Sequence, residues 1–134
     1  MRNLIRIAAG LVAGTAVLLA AEAPKVDVAK LPPASTKKGL TYAKDIKPIL
    51  EQSCFKCHGP EKQKGKLRFD SLDASLKGSE NGKVIVPGKL ETSPIMISIA
   101  RLNPDAAMPP EGKGDPLSKD QVGLIRAWIE QGAK

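Results

Sequence analysis

The 134 residues carry 21 Lys and Arg against 14 Asp and Glu, a formal net charge of +7, with two Cys and a single His. That length supports one small domain rather than two. Two Phe, one Tyr and one Trp are too few aromatics for base stacking, and the lysines are scattered rather than striped, which excludes a nucleic-acid-binding groove.

Arg2 and Arg6 precede an apolar run from Ile7 to Ala20, and small residues follow at Ala20, Ala21 and Ala23. This is the layout of a secretory signal peptide. The run is shorter than the ~20 residues a membrane-spanning helix needs, so cleavage near Ala21 is favoured over retention as an anchor. Residues 1–21 are therefore read as a leader, and the product as periplasmic or otherwise exported, with no stable membrane insertion after cleavage. Without Arg2 and Arg6 the balance is 19 basic and 14 acidic side chains, or +5, which solubility alone accounts for. Residues 22–40 are rich in Pro, Lys and Ala without a helical period and read as a flexible arm. The compact domain then occupies 41–134.

A first helix is expected over about Ala43–Ser53, capped by Thr41 or Asp45. Pro48 is tolerable there only near the first turn, where no intrahelical N–H is lost. Tyr42, Ile46, Ile49 and Leu50 form its apolar face. The stretch 59–94 is punctuated by Gly and Pro and reads as loop, with Leu67–Asp70 and Val84–Val86 as short extended pieces at most. Ser93-Pro94-Ile95 gives an N-cap and first-turn proline for a short helix to about Leu102. Ser118-Lys119-Asp120-Gln121 is a capping box. Val122, Ile125 and Ile129 then share a face, flanked by Leu124 and Trp128, and Gly132 ends the helix.

Cys54-Phe55-Lys56-Cys57-His58 is a C-x-x-C-H, the attachment sequence of c-type haem, and it holds every Cys and His of the chain. Two thiols add to two vinyl groups on one porphyrin edge, two intervening residues span that edge, and the imidazole reaches the iron. One motif means one covalently attached haem c. A porphyrin would also supply the flat apolar mass that a domain of about 90 residues with few aromatics lacks. A Cys54–Cys57 disulfide closes only a tiny loop and would stabilise little. Zinc needs four ligands, and three crowded ones are too few.

The iron's other face needs a ligand, and a second His is excluded. Thioether sulfur is the usual alternative. Met1 leaves with the leader, and Met96 sits in the apolar run Ile95–Ile99, where packing in the core explains it. Met108 lies in a loop stiffened by Pro104, Pro109 and Pro110, which suits a ligand. Lysine, water or an open position are the alternatives to Met108.

Tyr42…Ile46-Lys47-Pro48-Ile49-Leu50, Cys54–Gly59, Gly65–Asp70, Met108-Pro109-Pro110 and the ending Leu117-Ser118…Leu124–Ile129…Gly132-Ala133 together resemble the planctomycete-type cytochrome c domain. The resemblance spans about 41–133 with the motifs in order. It implies an all-α, class I cytochrome c-like fold with long loops, first and last helices packed together, His58 as proximal and Met108 as distal ligand.

The expected function is an exported monohaem cytochrome c carrying single electrons, an electron-transfer protein rather than an enzyme. Both axial positions are then filled by protein. Lys56, Lys62, Lys64 and Lys66 beside the motif would steer an acidic redox protein partner, with a solvated loop as the plainer reading. Arg68 is a candidate for a haem propionate, with an ordinary surface arginine as the plainer reading, and Trp128 is read as helix-packing core rather than a relay. The alternative function is a haem enzyme or sensor of peroxide or a small gas, with Met108 displaceable and Arg101 as the one candidate hydrogen-bonding side chain.

Overall fold

A computed structural model describes residues 22–134; the leader and its expected cleavage point lie outside the described residues. Among the described residues there is no strand, only isolated bridges pairing His58 with Gln63 and Ser79 with Gly82. The helices are α1 (Lys47–Ser53), α2 (Leu72–Lys77), α3 (Ile95–Ile99) and α4 (Lys119–Glu130), joined by loops and single 3₁₀ turns. The all-α expectation holds. No described helix is long and apolar enough to cross a membrane.

The first helix begins one residue earlier than the sequence suggests and in a wider coil. Tyr42–Ile46 is a π-helical turn that runs directly into α1, with Pro48 in the first turn of the α-helical part. The proline has no N–H, and its ring would press on the carbonyl four residues back. Widening the preceding turn relieves that clash, as wide turns do elsewhere inside helices. Thr41 is the cap, its hydroxyl accepting from the Lys44 N–H. Asp45 lies inside the helix instead, where its carboxylate accepts from the Thr41 N–H at 3.0 Å and pairs with Lys37.

In α4 the capping box is formed in both directions, with Ser118 Oγ accepting from Gln121 N–H at 3.1 Å and Gln121 Oε1 from Ser118 N–H at 2.9 Å. Val122, Ile125, Trp128 and Ile129 are all buried. Trp128 packs against Tyr42 with ring centroids 6.3 Å apart, so the first and last helical segments meet in the core. Ile46, Leu50, Ile85 and Met96 complete the fully buried apolar set.

Three expectations need correction. Residues 22–40 are not a loose arm. Val26, Leu31 and Leu40 are buried, Arg126 donates to the Pro32 carbonyl, and Ser35 N–H donates to the Gly123 carbonyl at 3.0 Å. This segment is a strap across α4. Helix α3 ends at Ile99 rather than Leu102, and Ser93 is not its side-chain cap. The buried Ser93 hydroxyl accepts from Val86 N–H and donates to Lys89 O, tying the loop before α3. Finally, α2 forms where only loop was expected, nucleated by Ser71 as N-cap.

Candidate functional site

Helix α1 delivers Cys54 at its C-terminal end, and the C-x-x-C-H pentapeptide coils there into one tight turn. Cys54 N–H donates to Leu50 O at 2.7 Å, Cys57 N–H to Cys54 O at 3.1 Å, and His58 N–H to Cys54 O at 2.8 Å. Cys54 and Cys57 are not joined by a disulfide. Burial, reinforced by the neighbouring Cys57, pushes the Cys54 thiol up to about 12, so it stays neutral.

The His58 ring is fixed by two contacts. Its Nδ1 lies 3.0 Å from the Lys64 carbonyl, and Phe69 sets a ring edge-on to it, with centroids 5.8 Å apart. Phe69 is itself held, because the Tyr42 hydroxyl donates to its carbonyl and its own N–H donates to the His58 carbonyl at 2.9 Å. With Nδ1–H directed to a carbonyl, the lone pair is on Nε2, the nitrogen left to bind a metal. Burial lowers the imidazole's pKa, with the Lys64 and Leu67 backbone opposing, so the neutral ligating form is favoured.

Beside these residues opens a cleft of about 840 Å³, its solvent-facing mouth included. Cys54, Cys57 and His58 line it, and Met108, Pro109 and Pro110 line it from the distal loop. Leu67, Phe69, Val84, Ile95 and Ile99 add apolar wall. A second lobe continues outward past Lys56, Lys62, Lys64 and Lys113. Ligand clefts of this kind are mostly apolar with a few polar groups placed at one end.

The two methionines separate cleanly. Met96 is fully buried in the core, whereas Met108 is 39 % exposed, the one large hydrophobic side chain exposed among the described residues. Its place on the cleft gives that exposure a reason. The cleft therefore suits a porphyrin, with two thiols, an imidazole and a thioether in one lining. Among the described residues no group of three or more His, Cys, Asp or Glu side chains converges to hold a bare metal ion.

Other expected residues fall elsewhere. Arg68 does not line the cleft but forks onto Asp70 at 2.9 and 2.6 Å, which favours its plainer reading as a surface arginine over a propionate partner. Arg101 does not line it either; its guanidinium donates to the Pro109 carbonyl at 2.9 Å. Of the four lysines beside the motif, Lys66 stands off the cleft, and Lys113, unnoticed in the sequence, joins the other three. Trp128 is fully buried helix-packing core, as expected. Phe69 and the Lys64 carbonyl were missed as supports of His58; the nearness of Gly65–Asp70 to the motif was the only signal.

Residues 54–112 match the family model described as Planctomycete cytochrome C, the family that the motifs resemble. No curated protein and no solved structure matches the chain.

Proposed function

We propose that this chain, which carries a Planctomycete cytochrome C segment over residues 54–112, is an exported monohaem c-type cytochrome of class I-like fold that transfers single electrons. The match to the cytochrome c family model supports reading it as a haem c protein. The observation that carries the finer reading is the cleft that gathers Cys54, Cys57, His58 and Met108 in one apolar lining.

Haem c, when bound, supplies an iron that cycles between ferric and ferrous states. The chain's residues do the rest. Cys54 and Cys57, both in the cleft lining, would hold the porphyrin covalently, each thiol adding its sulfur and hydrogen across one vinyl group. His58 presents Nε2 as proximal ligand, its orientation kept by the Lys64 carbonyl and the Phe69 edge. Met108 offers its sulfur from the distal loop, and the pairing of thioether with imidazole favours a raised reduction potential. Leu67, Phe69, Val84, Ile95 and Ile99 keep water away from the cleft's interior. Were His58 and Met108 both to hold the iron, outer-sphere electron transfer would be the chemistry left. Lys56, Lys62, Lys64 and Lys113 frame the outer lobe and suit an acidic redox protein as partner. The leader at 1–21 supports export, which c-type haem attachment in bacteria also requires.

The second reading is a sensor or enzyme in which the Met108 side chain is displaced. Absorption spectra of the purified holoprotein in both redox states decide between them. A sulfur–iron charge-transfer band in the ferric protein that disappears in Met108→Ala supports the electron carrier. Tight carbon monoxide binding by the wild-type ferrous protein favours the sensor, and a Met108→Ala spectrum identical to wild type removes Met108 as ligand.

A further inference from the structure

We propose that Arg101 is the positioning residue of the distal loop, pinning the Pro109 carbonyl so that Met108 stays at the cleft. The inference rests on the reading of Met108 as distal ligand. Helix α3 ends in a Schellman arrangement, with Arg101 N–H donating to Ser98 O at 3.2 Å and Leu102 N–H to Ile97 O at 3.0 Å. Arg101 occupies the left-handed position of that motif, at φ 55°. Glycine is the residue usually found there, because a side chain makes this conformation unfavourable. A bulky residue at such a position calls for a reason.

The reason lies in what the distal loop lacks. Pro109 and Pro110 have no N–H, so between Met108 and Glu111 the backbone can be tethered only through carbonyl oxygens. Pro109 is buried, and its carbonyl receives the Arg101 guanidinium at 2.9 Å. A charged donor makes a stronger bond than a neutral one. The Pro110 carbonyl is taken by the loop's own Lys113 N–H at 3.0 Å, so the other tether to the body of the fold is the Met108 N–H, which donates to Ser98 O at 3.1 Å. Both anchors thus come from the C-terminal turn of α3, one on each side of the Met108–Pro109 peptide. The left-handed backbone at Arg101 sets the direction in which its side chain leaves the helix end. Leu31, Pro32 and Pro33 of the strap share a surface hollow with it, which narrows the guanidinium's alternatives.

The test exploits the backbone. Arg101→Gly removes the pin while relieving the left-handed strain, so the melting temperature should hold or rise. In the holoprotein, Arg101→Gly should lose the sulfur–iron charge-transfer band at a lower pH than wild type, and its ferrous form should bind carbon monoxide about tenfold more tightly, the worth of one hydrogen bond. Arg101→Lys should recover part of both. An Arg101→Gly protein that keeps wild-type band stability and carbon monoxide affinity overturns the proposal. If wild type and Met108→Ala prove spectrally identical, the ligand reading has failed instead. Hydrogen exchange at the Met108 amide then still decides the pin: faster exchange in Arg101→Gly upholds it, and an unchanged rate overturns it.

Discussion

The Nδ1 of His58 stands 3.0 Å from the carbonyl oxygen of Lys64, six residues along the chain. The loop between them is closed by Gly59 N–H donating to Lys62 O at 2.8 Å and Lys64 N–H donating to Cys57 O at 3.0 Å. The Nδ1 side of the imidazole is thus held by main-chain atoms, which side-chain substitution in the loop cannot remove directly.

Gly59 is where that loop can be disturbed. A Cβ there would lie 2.4 Å from the Phe55 carbonyl oxygen, inside the C-x-x-C-H turn. Backbone must shift to admit it, at a cost of about 1–3 kcal/mol. Gly59→Ala should lower the free energy of unfolding by that amount in denaturant titration and reduce the fraction of chains carrying haem.

The strap makes a second prediction, against helix propensity. Gly123 lies mid-helix, where alanine would ordinarily add about 1 kcal/mol of stability. A Cβ at Gly123 would, however, come within 2.3 Å of the Pro33 carbonyl oxygen. Gly123→Ala should therefore lift the strap, lower the melting temperature and open residues 30–36 to proteolysis. A more stable Gly123→Ala protein would mean that the strap contributes nothing.

Asp45 gives the fold a dependence on acid. Hydrogen bonds from Lys37 first and the Thr41 N–H second hold its carboxyl below the usual carboxylate range. A depressed folded-state pKa adds stability that is present above the unfolded value of about 3.9 and is lost as pH falls through the folded value. Wild type should lose stability across that acid window, and Asp45→Asn should show a flatter profile and a lower melting temperature at neutral pH.

The lysines of the outer lobe should act through rate. Electron exchange with an acidic redox protein should slow as salt is added, and Lys56→Glu or Lys113→Glu should slow it at low salt while leaving the reduction potential close to wild type. Rates indifferent to salt and to both substitutions would make these lysines ordinary solvated residues.

Much of the site was legible because its chemistry is local in sequence. C-x-x-C-H, the capping box at Ser118 and the proline-rich setting of Met108 each declare themselves within a few residues. The face of α4 was legible because a twelve-residue helix repeats its period often enough to be seen. Five- and six-residue helices such as α2 and α3 show no such period, so α2 was missed and the end of α3 misplaced. The strap was misread because an extended segment buries Val26, Leu31 and Leu40 at irregular intervals, and composition reports only its prolines and lysines. The π turn before Pro48 answers a clash with the helix's own backbone. The roles of the Lys64 carbonyl, the Phe69 edge and Arg101 depend on contacts that close only when the loops fold together.

Mass spectrometry of the exported, processed protein, produced alongside a cytochrome c assembly system, tests the central claim most directly. A single species heavier than the polypeptide by one haem is the predicted result, with the added mass lost when both Cys54 and Cys57 are replaced by Ser. A polypeptide of unmodified mass, with both thiols still free to alkylate, would contradict it.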